Sequence, residues 1–104
     1  MTIHCITYDR KGNELAIIFI NRGFHYSIFF RNNLGSITNK NYPQLFKFYN
    51  FYGVSPEYYG RHIEQLVNEL KNHCPFVEGH QQKMAVLIKR ISDPGVWKVG
   101  FYGD

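Results

Sequence analysis

Cysteine is scarce in this chain: it has only Cys5 and Cys74, too few for the disulfide framework of a small secreted domain, so two reduced thiols are expected. Long hydrophobic runs are lacking as well. The longest purely aliphatic and aromatic run, Leu15 to Ile20, falls far short of the ~20 residues that span a bilayer, and no membrane partner is expected. Met1-Thr2-Ile3-His4-Cys5 has neither the charged nor the long apolar segment of a secretory signal, so the expected location is cytoplasmic. The glycines are scattered and form neither a G-x-G-x-x-G nor a Walker pattern, which argues against nucleotide-dependent catalysis. There are no internal repeats, low-complexity tracts or linkers, and the 104 residues read as a single domain, 1–104.

Charged residues make up 19% of the chain, too few for disorder, while 44% hydrophobic and 17% aromatic residues suffice for a packed interior. Each large ring buries roughly 150–250 Å² when enclosed, and so small a domain cannot enclose them all. A surplus of Tyr at the surface hints at a recognition face, because amphipathic rings are interface anchors of low entropic cost. The net charge of +4 is one-sided. Residues 1–54 hold Arg10, Lys11, Arg22, Arg31, Lys40 and Lys47 against Asp9 and Glu14, whereas residues 55–104 balance six basic against six acidic residues. This bias favours an acidic partner, either a protein surface or nucleic acid.

Along the chain, Thr2 to Tyr8 reads as a β-branched and aromatic strand, followed by the polar turn Asp9-Arg10-Lys11-Gly12-Asn13. Glu14 to Asn21 is apolar at nearly every position, as in a strand covered on both faces. In Phe24 to Arg31, Phe24, Tyr26, Ile28 and Phe30 alternate with His25, Ser27, Phe29 and Arg31, which predicts a third strand with a core side and a wetter side. Asn32 to Asn41 reads as a loop, and Pro43 as the first turn of a helix to about Tyr52, with Gly53 as its stop. Ser55, Pro56 and Glu57 have the order of an N-cap, first helical position and acidic first turn. Tyr59, Ile63, Leu66, Val67 and Leu70 then mark an apolar stripe on a helix ending near His73, before Pro75. Lys83 to Ile91 reads as a fourth strand, Ser92-Asp93-Pro94-Gly95 as a turn and Val96 to Tyr102 as a fifth strand. The order β-β-β-α-α-β-β predicts an α+β fold, a mostly antiparallel five-stranded sheet with one or two helices packed on one face.

His4, Cys5, His73, Cys74 and His80 are the residue types that ligate zinc, but no C-x2-C or H-x3-H spacing occurs. Adjacent His and Cys on a strand also point to opposite faces, so no metal and no cofactor are expected. His73 and Cys74 adjoin in sequence without facing one another, which argues against a cysteine nucleophile. Acid-base cleavage of RNA could draw on His25 and Arg31 with Lys98 or Tyr102. A sheet face combining His25, Phe29, Arg31, Lys98 and Tyr102 could stack single-stranded bases. Without a catalytic set that survives the spacing test, the reading is a non-enzymatic protein-binding domain of inhibitor or immunity type. Its expected partner is a protein with an acidic surface, such as a bacterial toxin domain. Single-stranded RNA binding, and after it a small His-dependent ribonuclease, are the alternatives. The candidate contact residues are Arg22, His25, Arg31, Tyr49, Tyr52 and Tyr58.

Overall fold

In the computed structural model, residues 2–29, 40–49, 55–73 and 79–103 are described. The β-branched and aromatic opening forms strands β1 (Thr2–Tyr8) and β2 (Glu14–Asn21), paired antiparallel with Ile3 opposite Ile20 and Cys5 opposite Ile18. Their connection is closed by the Asp9 carboxylate, which accepts the backbone N–H groups of Lys11 and Asn13, both at 2.9 Å. Helices α1 (Arg22–Phe29) and α2 (Pro43–Tyr49) follow, then the short strand β3 (Glu57–Tyr59). Helices α3 (Arg61–His73) and α4 (Gln81–Ile91) and strand β4 (Lys98–Gly103) complete the described elements. The strands lie in the order β2-β1-β4-β3, every neighbouring pair antiparallel.

The α+β class and the antiparallel sheet match expectation, but among the described residues the sheet has four strands where five were expected. Two expected strands are helices. Asn21 caps α1, its side-chain oxygen accepting the N–H of Phe24 at 2.8 Å, and Ser27 Oγ donates to the Gly23 carbonyl at 2.9 Å. Phe24 and Ile28 share a face under either a two-residue or a 3.6-residue period, so they could not decide between strand and helix. His25 and Ser27, expected on the wetter side, are buried, whereas Tyr26 is exposed. Met84, Leu87 and Ile91 are the buried positions of α4 and fall at helical spacing, a period that the β-branched residues Val86, Ile88 and Ile91 obscured.

The third correction concerns Ser55-Pro56-Glu57, which leads into an edge strand and not a helix. Pro56 lacks an N–H but sits before the strand, where only its carbonyl is used, accepting from Phe101 N at 3.0 Å. Gly60 then adopts φ +54°, a left-handed conformation that costs glycine little and turns the chain into α3. Tyr59 accordingly belongs to β3, while Ile63, Leu66, Val67 and Leu70 form the buried stripe of α3 as expected. Pro43 opens α2 as expected. The predicted end of that helix at Tyr52, the Gly53 stop, the loop over 32–39 and Pro75 lie outside the described residues.

One buried cluster joins a single face of the sheet to the helices. Ile3, Cys5, Ile20, Tyr58, Val99 and Phe101 enter it from the strands, Phe24 and Ile28 from α1, Leu45 from α2, the α3 stripe, and Met84, Leu87 and Ile91 from α4. A buried carboxylate ties this layer together. Glu69 of α3 accepts the N–H groups of Gln44, at 3.0 Å, and Leu45, at 2.8 Å, at the start of α2, and Tyr58 donates its hydroxyl to the Gln44 carbonyl at 2.7 Å. Glu69→Gln keeps the volume but supplies a single acceptor oxygen and two unwanted donors. It should lower unfolding free energy by about 1–3 kcal/mol, read from urea denaturation at neutral pH.

Candidate functional site

The strand pairing that fills the core face leaves the other face of the sheet open. By register, His4, Ile6 and Tyr8 of β1 share that side with Ile17 and Phe19 of β2, Lys98, Gly100 and Tyr102 of β4, and Glu57 and Tyr59 of β3. Its apolar members are unusually accessible: Phe19 is 66% exposed, Ile17 48% and Tyr59 42%, and Trp97, which precedes β4 and meets the Tyr59 ring at the margin of the face, is 47% exposed. Leu15, beside the irregularity at the start of β2, is equally exposed at 48%. The rings are held in edge-to-face pairs, His4 with Phe19 at 5.1 Å between centroids and Tyr59 with Trp97 at 5.3 Å. This is a preformed surface.

A polar cluster spans β1, β4 and β3 on this face. Glu57 pairs with Gly100 across β3 and β4, and Tyr102, two residues along the same side of β4, lays its ring over Gly100 and donates its hydroxyl to Glu57 Oε2 at 2.9 Å. A Cβ at position 100 would meet that ring, so glycine is what lets the tyrosine lie flat. Lys98 Nζ stands 3.4 Å from the same carboxylate oxygen and 4.3 Å from the centroid of the Tyr8 ring. The Tyr102 hydroxyl, more than the nearby Lys98 ammonium, holds the Glu57 carboxyl below its ordinary 4.5, against the opposing effect of burial. Burial, and then hydrogen bonding with Tyr8 and Glu57, pushes the Tyr102 phenol well above its usual range. The cluster therefore presents a closed set of mutually satisfied groups, suited to fixing side chains in place more than to moving a proton.

The sequence-derived contact residues are dispersed. Arg22 is exposed at the start of α1, His25 is buried on the same helix, and Tyr58 is fully enclosed in the core. Tyr49 is the last described residue of α2, its side chain outside the described residues, as are Arg31 and Tyr52 altogether. Of the face proposed for stacking bases, Lys98 and Tyr102 lie on the open side as expected, while His25 is in a helix and Arg31 is not described. Ile17 and Phe19 were missed because an apolar strand reads as doubly covered, whereas among the described residues β2 lies at the sheet edge with both side chains exposed. The contact of Tyr102, Gly100 and Glu57 joins residues 45 apart and left no local signal.

His4 and Cys5 diverge, the imidazole toward Phe19 on the open side and the thiol into the core. Among the described residues, no three His, Cys, Asp or Glu side chains converge as a metal site would require. An open groove of about 500 Å³ borders the exposed side of α3 and the α4–β4 turn, lined by Arg61, Glu64, Lys71, Asp93 and Trp97 among others. Its charges are of both signs and give it no directed field. Among the described residues, no helix is long and apolar enough to cross a membrane. No protein-family model, curated protein or solved structure matches the chain.

Two outcomes follow from these environments. In Tyr102→Phe the Glu57 carboxyl should titrate closer to 4.5, as followed by carboxyl-carbon NMR. Because the native value lies below the ordinary one, ionised Glu57 supports the fold above pH 4.5, and that support fades as pH falls through the native value. The stability gap between wild type and Tyr102→Phe should therefore narrow on acidification. Cys5, whose thiol is pushed far up by burial, should resist iodoacetamide in native protein and be alkylated only after denaturation, as resolved by peptide mass mapping.

Proposed function

We propose that this chain is a non-enzymatic protein-binding domain, an inhibitor or immunity-type protein that covers a working surface of its partner. The observation that carries the proposal is the open sheet face, on which Ile17, Phe19 and Tyr59 remain accessible beside an internally satisfied polar cluster. Accessible apolar side chains and rigid rings bordered by fixed polar groups suit a docking surface, since burying the former supplies affinity and the latter supply orientation. Arg10, Lys11, Arg22, Lys40 and Lys47 are all exposed, which favours a partner with an acidic surface, for example a toxin domain.

Single-stranded RNA is the second reading, favoured by the rings beside Lys98 on an antiparallel sheet. Two features weigh against it. The Lys98 charge is engaged by Glu57 and by the Tyr8 ring, and the aliphatic Ile17 offers a base no stacking plane. Immobilised chain should retain a host protein in a ratio near one to one, and Phe19→Asp and Tyr59→Ala should abolish retention while leaving the circular dichroism spectrum unchanged. Retention of labelled single-stranded RNA at low salt, released steeply as salt rises, would replace protein by nucleic acid as the partner.

A further inference from the structure

The outer edge of β2 is built differently from the outer edge of the sheet on the other side. Strand β3 is three residues long, preceded by Pro56 and opened by Glu57, the short and charged form that resists further pairing. Strand β2 has eight residues, no proline and no lysine, and Glu14 is its one charge. Among the described residues it pairs with β1 alone. Past the irregularity near Glu14 it runs regularly from Ala16 to Asn21, with Ile17 and Phe19 exposed. A long, apolar, unguarded edge of this kind pairs readily with another strand.

We infer that β2 pairs antiparallel with β2 of a second copy of this chain, across a two-fold axis at Ile18, to form a continuous eight-stranded sheet. Charge selects both the occupant and the register. With Ile18 facing Ile18 of the second copy, Ile17 meets Phe19 on the open side, Ala16 meets Ile20 on the core side, and Glu14 comes within side-chain reach of Arg22, each contact occurring twice. Moving the axis to Ile17 sets Glu14 against Ile20, and moving it to Phe19 carries Glu14 beyond the pairing. The arrangement is isologous and closes at two copies, which consumes the edges that would otherwise recruit further chains. One pair of strands buries less than the ~800 Å² per partner of a standard interface, so the dimer is reversible and concentration-dependent. The inference does not rest on the proposed partner, although dimerisation would set two open faces side by side.

Sedimentation of the full chain from micromolar to submillimolar concentration tests it. Wild type should show a reversible monomer-dimer equilibrium. Glu14→Arg and Arg22→Glu should each weaken it roughly tenfold, because each converts both attractive pairs into repulsive ones, and the combined variant should recover wild-type affinity within about threefold. Within one chain these residues stand at opposite ends of the strand, ~25 Å apart, so the rescue cannot be internal. A monomer at every concentration overturns the inference. So does a dimer untouched by either reversal but lost in Phe19→Lys, which would mean that open faces stack. Failure of the combined variant to recover while still folded by circular dichroism also overturns it.

Discussion

The register of β1 against its two neighbours is the constraint on which the rest depends. Cys5 stands between Ile18 and Phe101, and Ile3 is opposite Ile20 on β2. Thr7 likewise lies between Ala16 and Val99. A slip of one residue at either ladder would bring His4, Ile6 and Tyr8 inward and put the core residues into water. The same registers align Ile17, Phe19, Lys98 and Tyr102 on the other side. The open face is therefore a direct consequence of filling the core: the two sets of side chains alternate along the same strands and are fixed by the same backbone hydrogen bonds.

The helical layer holds the sheet in a second way, through a buried junction. The seven described residues of α2 fall short of the ~12–15 at which an isolated helix is even marginal, and tertiary contacts fasten its start. Glu69 satisfies two of the N–H groups that a helix start leaves without acceptors, and its negative charge lies at the favourable end of the helix dipole. Tyr58 binds α2 from the sheet side through Gln44. Since Tyr58 lies between Glu57 and Tyr59, the junction that anchors it inside also sets where its two neighbours stand outside. Core polarity and surface recognition thus meet in a strand of three residues.

The sequence was legible where one period and one set of boundary signals agreed. Strands β1 and β2, the Asp9 turn, the Pro43 helix start, the α3 stripe and the return of the chain as β4 were all expected close to where they lie. It was misleading where two periods coincide over a short stretch. Phe24 and Ile28 fit a strand as well as a helix, and only Asn21, read as the end of the second strand, carried the deciding cap. In α4, Met84, Leu87 and Ile91 had helical spacing, but β-branched residues suggested a strand and His80 makes no side-chain cap to mark the start. Ser55-Pro56-Glu57 carried a well-formed start signal whose meaning was reversed by the pairing of Tyr58 with Val99, a contact across 41 residues. The candidate site was less legible than the fold, because exposure of Ile17 and Phe19 depends on strand order, which no local pattern encodes.

Strand order also explains why the exposed apolar surface lies where it does. A sheet with helices on one side normally directs polar residues to the other. Here His4, Tyr8, Lys98 and Tyr102 do so over the inner strands and Glu57 on the β3 edge, whereas Ile17 and Phe19 fall on β2, at the opposite edge of the described sheet. Apolar area is worth roughly 25 cal/mol per Å² when removed from water, so an exposed phenylalanine and isoleucine side by side hold a few kcal/mol available to whatever covers them. Placed on an edge, these side chains are accessible both from above the face and from the side. A partner lying on the face and a strand added to the edge would therefore bury different parts of the same two residues, and pairing of β2 would bring the Phe19 of one copy beside the Ile17 of the other. Doubling this patch without covering its upper surface would raise the area offered to a partner, so self-association and partner binding on this sheet need not compete.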